Sequence, residues 1–325
     1  MAGETGLEPA AFCVTGRRYN QLNYSPRNCK FNKYKDCRDS RQAEIFKNIK
    51  FCFVSMLPSD WKGAKILPSL RRFMRAVYIT GGTTGMGAEL AKLYLSQGWK
   101  VGVCGRDKSK FEESFPTGHD NLSFYQVDVA DKEALQASIK KFSSPIGLDL
   151  LIANAGIGYK SKTKLPDFDY SYRMVQVNLL GVMYAFEAAL DIMIPRGKGH
   201  LVGISSVAGL NGLPGVSAYS ATKGAVLKYC ESLHLDLKQF GIDVTAICPG
   251  FVDTPLTQAN HHPMPFLIKA PKAAVLISKA IKNKKMVYSF PFVFSLAVRF
   301  LSLLPRVWYR GIMKKKLFNY SKESI

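Results

Sequence analysis

From Ala76 onward, apolar runs alternate with amphipathic stretches. The runs occupy 76–80, 100–104, 122–127, 148–153, 200–205 and 242–248, with a further one near 286–289. Between them, helical periodicity covers 85–97, 131–142, 168–193, 215–239 and 271–283, plus a short stretch at 108–115. Short continuous apolar runs are the signature of parallel strands buried on both faces, and a period near 3.6 marks a helix with one face on a core. Their alternation predicts an α/β fold: a doubly wound parallel sheet of the Rossmann type, with ligand sites at the carboxyl ends of the strands. One domain over 74–289 accounts for the pattern. It is preceded by a leader, 1–73, without sustained periodicity, and followed by a basic, apolar C-terminal extension, 290–325.

The leader is rich in Asn, Arg, Lys and Cys and lacks the layout of a signal peptide. Its Gly6-Leu-Glu-Pro9 can be encoded by GGA-CTC-GAA-CCC, the complement of a transfer-RNA T-loop sequence. Met74 stands two residues before the first strand. The expectation is that translation starts there and that the leader is an artefact of start-site assignment. The alternative is a genuine basic arm, disordered or membrane-attached. Phe51 to Leu57 is apolar but too short to span a bilayer. A chain beginning at Met74 is expected to fold and keep its activity, because the first strand begins at Ala76. Insoluble or inactive protein from that start would show that the leader is needed structure.

Charge is uneven along the 325 residues. The net +21 divides into +9 over 1–75, zero over 76–260 and +12 over 261–325. A neutral centre excludes a nucleic-acid-binding core, whose footprint is a basic face. The basic end suits an anionic membrane surface. Seven cysteines, an odd number with no C-x-x-C pair, fit a reduced intracellular setting, so a cytoplasmic protein is expected. The leader cysteines match no zinc spacing, and His261-His262 lacks an evident third ligand, so no metal is expected.

Two strings carry chemistry. Thr80-Gly-Gly-Thr-Thr-Gly-Met-Gly87 joins the first strand to the first helix, where backbone N–H groups can approach a pyrophosphate at a helix N-terminus. Tyr219-Ser-Ala-Thr-Lys223 follows Ser206 by thirteen residues. Tyr and Lys at i and i+4 share a helix face, so the ammonium can sit near the phenol and favour its ionised form. Together the strings point to hydride transfer with a nicotinamide cofactor.

With these motifs in order, Arg75 to about Tyr288 resembles a short-chain dehydrogenase/reductase. Asn154-Ala-Gly156 matches that family's motif after the fourth strand, and Asn178 sits in the long helix where the family has its Asn. Ser206, Tyr219 and Lys223 complete the catalytic set, with Ser205 the rival to Ser206. Pro249-Gly250, leading through Val252 to Thr254, matches the segment over the nicotinamide. The resemblance implies that Lys223 bonds the nicotinamide ribose and that Asn178 holds a water linking Lys223 to bulk. It implies that Gly81, Thr83, Gly85, Met86 and Gly87 cradle the dinucleotide, that Asp128-Val129 meets the adenine edge, and that the protein is a homo-oligomer. Cofactor type turns on the end of the second strand, Val101-Gly-Val-Cys-Gly-Arg-Asp107. A carboxylate there reads the 2′-hydroxyl of NAD(H), and Arg accommodates a 2′-phosphate. Gly105 takes the acidic position and Arg106 follows, which favours NADP(H) over NAD(H); a one-residue shift would bring Asp107 into play.

The expected function is thus an NADP(H)-dependent oxidoreductase interconverting a carbonyl and an alcohol, with Tyr219 as general acid/base. Met264 to Leu267 make the lid apolar and point to a lipophilic small-molecule substrate. One alternative is a 3-oxoacyl-thioester reductase, another a catalytically silent NADPH-binding or lipid-associated protein. In the extension, Phe290 to Leu304 is too short to span, and basic residues with Trp308 and Tyr309 follow it. That composition suits a helix lying in a membrane surface, peripheral on the inner face. The alternative is a cover over a partner subunit or over the substrate mouth.

Overall fold

In the computed structural model the described residues are 75–144, 146–158, 166–258 and 264–313. The leader, His261-His262 and Lys314 to Ile325 lie outside them. In chain order, the first half comprises β1 (Ala76–Thr80), α1 (Gly85–Ser96), β2 (Lys100–Gly105), α2 (Lys108–Ser114), β3 (Leu122–Gln126), α3 (Lys132–Ser143) and β4 (Leu150–Ala153). Then come α4 (Phe168–Val175), α5 (Gly181–Met193), β5 (Gly199–Ile204), α6 (Ser217–Asp236) and β6 (Ile242–Pro249). Two short strands, β7 (Val252–Asp253) and β8 (Ile268–Lys269), flank the one-turn α7 (Pro255–Gln258). The chain continues through α8 (Ala270–Lys282), β9 (Val287–Phe290), α9 (Phe292–Leu303) and α10 (Arg306–Met313).

Seven strands form one parallel sheet in the order β3-β2-β1-β4-β5-β6-β9, while β7 and β8 pair separately. The inner strands are buried on both faces because helices cover both, while the edge strands β3 and β9 are only partly buried. Along β1, Tyr78 enters the layer holding Leu135, Ile139, Phe186 and Met193. Its neighbours Val77 and Ile79 point the other way, to Leu90, Val103, Ile152 and Ile277. The winding direction reverses between β1 and β4, whose ends are level, Thr80 opposite Ala153. Such a reversal leaves a crevice at the carboxyl ends of the strands, so the glycine-rich turn after β1 and the Asn154 turn after β4 face each other across it.

Three elements differ from the periodicity. β4 starts at Leu150 rather than 148; just before it the Arg196 guanidinium bonds the Leu148 carbonyl and pairs with Asp149, whose other oxygen accepts from Ala76 N. The stretch 168–193 is not one α-helix: a π turn, Gln176–Leu180, interrupts it. The tail is two helices rather than one. Pro305 lacks the N–H that would continue the first, and Leu304 before it is extended.

Candidate active site

The floor of the crevice is backbone. Gly81 has φ +63°, and a Cβ there would stand 2.8 Å from Ala155 Cα. A Cβ on Gly87 would stand 2.2 Å from the Gly81 carbonyl oxygen and 2.6 Å from Asn154 Nδ2. Both must be glycine for the β1 and β4 turns to approach this closely. Thr80 fixes the approach: its Oγ1 accepts from Asn154 N and Ala155 N, both at 3.1 Å. Asn154 Nδ2 in turn donates to Thr80 O and Gly81 O. Above this floor lies a cavity of about 250 Å³. Gly81, Thr83, Gly85, Met86, Arg106, Asp128, Val129, Asn154, Ala155, Gly156 and Thr254 line it, with Lys110 among further residues. The first turn of α1 opens into it, and the side chain of its N-cap, Thr84, makes no cap hydrogen bond. Unpaired N–H groups, close-approach glycines and exposed cations suit a dinucleotide. Gly87 and Val252 do not line the cavity: Gly87 packs beneath it, and Val252 belongs to the core behind it.

At the rim, β2 ends at Gly105. A Cβ there would meet the Thr83 side chain at 2.6 Å, so a carboxylate at that position would have to displace Thr83. Arg106 is exposed, 4.0 Å from the Asp128 carboxylate. Asp107 also lines the cavity, but its carboxylate caps α2, accepting from Ser109 N and Lys110 N, and pairs with Lys110 at 3.7 Å. A hydrogen bond from the Ser109 hydroxyl at 2.6 Å, with those backbone bonds behind it, holds its carboxyl below the ordinary range. Two residues absent from the sequence-based set appear here. Lys110, on the first turn of α2, lines the cavity with Arg106, and its distance of three residues from Asp107 was the available signal. Arg173, on α4, is ion-paired with Asp128 and stands 3.3 Å from Gln176 Oε1; nothing in the local sequence connects it to Asp128.

Beyond Gly156 lies the second cluster. Ser206 follows β5 by two residues; its Oγ accepts from Ala208 N at 3.1 Å and stands 3.4 Å from Pro249 O. Its hydroxyl also faces the Tyr219 phenol. Ser205, the rival, is spent on structure, its hydroxyl donating to Lys223 O at 2.7 Å. Lys223 Nζ donates to Ile204 O at 2.8 Å and stands 5.8 Å from the Tyr219 ring centre. Burial lowers the Lys223 ammonium to about 8. Burial raises the Tyr219 phenol, and the Ser206 hydrogen bond opposes it. The phenol thus moves opposite to the expectation from Lys223, because desolvation of the anion is the larger effect.

Asn178 sits in the π turn, fully buried. Its Oδ1 accepts from Ile157 N at 2.8 Å; its Nδ2 donates to Ile157 O at 2.9 Å and Thr222 Oγ1 at 3.3 Å. These bonds lock the β4 turn onto α6. A Cβ on Gly156 would touch both Asn178 Oδ1 and Lys223 Nζ at 3.3 Å, so the two lie side by side over that glycine. A larger groove, about 920 Å³, runs between α10 and the start of α6 and contains none of these groups. Among the described residues no cluster of His, Cys, Asp and Glu could hold a metal.

The family model described as short chain dehydrogenase matches residues 75–264. This chain belongs to that family. A Myxococcus xanthus protein called an uncharacterized oxidoreductase is 34% identical over 235 residues, 71% of this chain and 93% of its own. A rat protein, dehydrogenase/reductase SDR family member 7B, is 30% identical over 256 residues, 72% of this chain and 79% of its own. Among solved structures, ElxO with NADP bound aligns at a TM-score of 0.61 and 28% identity, covering 66% of this chain and 96% of that one. A 3-ketoacyl-(acyl-carrier-protein) reductase from Brucella melitensis, complexed with NADH, aligns at 0.62 with 24% identity over 66% and 96% of the two chains, a likeness of fold. The protein is an oxidoreductase of the short-chain dehydrogenase/reductase type.

Proposed function

We propose that this short-chain dehydrogenase uses NADP(H) to interconvert a carbonyl and an alcohol on a lipophilic substrate. The observation that carries the reading is the pairing of a backbone cradle rimmed by Arg106 and Lys110 with the Ser206–Tyr219–Lys223 cluster at its far end. Gly81, Gly85 and the first turn of α1 would hold the pyrophosphate, Asp128 and Val129 the adenine edge, and Arg106 with Lys110 the 2′-phosphate. Bound there, the nicotinamide supplies hydride to the carbonyl carbon or takes it from the alcohol. Tyr219 supplies the proton to the carbonyl oxygen. Its raised phenol stays in the acid form through neutral pH, the form that reduction needs. Ser206 donates a hydrogen bond to the same oxygen and stabilises charge developing there. Asn178 acts as a positioning residue, through Ile157 and Thr222. The apolar lid supports a lipophilic substrate: Phe266 and Leu267 are exposed on it, and Leu256 at its other end lines the cleft.

A panel of lipophilic ketones and aldehydes, followed by loss of NADPH absorbance, tests the reading. NADPH binding without consumption across the panel would favour a silent nucleotide-binding protein. Cofactor choice has a sharper test. Arg106→Ala is expected to weaken NADPH about 10- to 100-fold, because a charge-assisted phosphate contact contributes about 1.5–3 kcal/mol. NADH is expected to lose little. Equal losses for the two cofactors, measured by fluorescence titration, would remove Arg106 from phosphate recognition.

A further inference from the structure

Helix α9 has two faces of different character. Toward the domain, Ser295 is buried, and Asn211 Nδ2 donates to Val298 O at 2.8 Å. The Phe294 ring lies 5.8 Å from Phe251 and 6.3 Å from the lid residue Phe266. On α10, the Tyr309 hydroxyl bonds Gly212 O, and Met313 is buried. The tail therefore touches both the lid and the loop that follows Ser206. The outward face of α9 carries Phe292, Val293, Leu296, Phe300 and Leu303, exposed by 55–81%. At 3.6 residues per turn these five share an arc of about 100°. That is the width an amphipathic helix ordinarily gives to a core. Val307 and Trp308 continue the exposed apolar surface onto α10.

Charge decides what covers this stripe. No acidic residue occurs between Asp253 and Glu323, while Arg299, Arg306 and Arg310 lie exposed on the two helices and Lys314 to Lys316 follow in sequence. A second copy would bring arginines against arginines with no carboxylate in either helix to pair them. An anionic bilayer offers apolar depth and negative charge together, and Trp308 is the residue type that prefers its interface. The 12 residues of α9 cannot cross a hydrocarbon core about 30 Å thick. The 29-residue run Phe168–Arg196 is long and apolar enough to cross, but half of its apolar window is buried in the domain and it carries Asn178.

We propose that α9 and α10 lie in the surface of an anionic bilayer, apolar stripe inward, and so hold the lid and the loop after Ser206 against the lipid. Substrate then enters the cleft from the lipid side.

Sedimentation of the full chain with phosphatidylcholine vesicles containing roughly one-third phosphatidylserine tests this without reference to turnover. Binding is expected at low ionic strength, weaker on phosphatidylcholine alone and falling as salt rises. Brominated lipid is expected to quench emission, and Trp308→Phe to remove that quenching. Phe300→Glu/Leu303→Glu is expected to lower partitioning at least about tenfold, from the loss of two buried apolar side chains. NADPH affinity and melting temperature should hold, since both residues are exposed and outside the cofactor cleft. Absence of sedimentation at low salt would overturn the proposal, as would equal sedimentation of the double variant. A dimer that the double variant dissolves, without vesicle binding, would assign the stripe to a second copy instead.

Discussion

Tyr219→Phe is expected to lower reductive turnover by roughly 10²–10⁴-fold, the usual contribution of one positioned general acid. NADPH affinity should stay within about twofold of the parent. The change removes one oxygen and keeps the ring. That oxygen faces Ser206, and Tyr219 is not among the residues lining the dinucleotide cavity. Loss of the proton donor therefore separates from loss of the cofactor. Single-turnover rates at saturating NADPH, set beside a fluorescence titration, distinguish the two. A variant retaining more than about a tenth of the parent rate would exclude Tyr219 as the proton donor.

Lys223→Met is expected to remove turnover and yet to spare or raise the stability of the cofactor-free protein at neutral pH. Burial lowers the Lys223 ammonium from its ordinary 10.5 to about 8. Below pH 8 the lysine is charged in both states, and its buried charge costs the fold about 3 kcal/mol. Between pH 8 and 10.5 the unfolded chain binds the extra proton, so parent stability rises with pH and the cost fades. Above 10.5 both states are neutral and the term vanishes. Methionine carries no charge and fills similar space, but leaves the Ile204 carbonyl without its donor, a loss of about 1–3 kcal/mol. The stability of the variant relative to the parent should thus be greatest below pH 8 and should decline as pH rises to 10.5. Melting curves of the two proteins across that range check the slope; a flat or rising difference would show that Lys223 is not a strained buried charge. A catalytic lysine maintained at the expense of stability would give the declining slope, whereas a lysine kept for structure would destabilise at every pH when lost.

Much of the architecture is legible from local pattern because a parallel sheet covered on both faces leaves a strong trace. Each strand must be apolar throughout and each helix must be apolar on one side. Val77 to Ile79 follow that rule, as does Ile242 to Ile247 apart from Asp243 and Thr245, and both strands fall where the runs place them. The glycine-rich turn is equally legible, since the close approach at Gly81 and Gly87 permits no side chain. The π turn at Gln176–Leu180 is not. It contains neither Pro nor Gly, and it is held by the Asn178 contacts with Ile157 and Thr222, which are 21 and 44 residues away.

The order of apolar runs, the glycines between them and the spacing of Ser206, Tyr219 and Lys223 determine the doubly wound fold and bring the candidate groups to one end of the sheet. They do so because periodicity, backbone reach and close approach are local constraints, written in neighbouring residues. Three matters were decided only by the tertiary structure. Ser205 was spent on the Lys223 carbonyl, leaving Ser206 to face Tyr219. Arg173 was brought to Asp128, 45 residues away. The Tyr219 phenol was raised rather than lowered, because the depth of burial around it outweighed the Ser206 hydrogen bond. Each depends on distances between segments remote in the chain, and on desolvation, which acts through everything packed around a group and not through its neighbours in sequence.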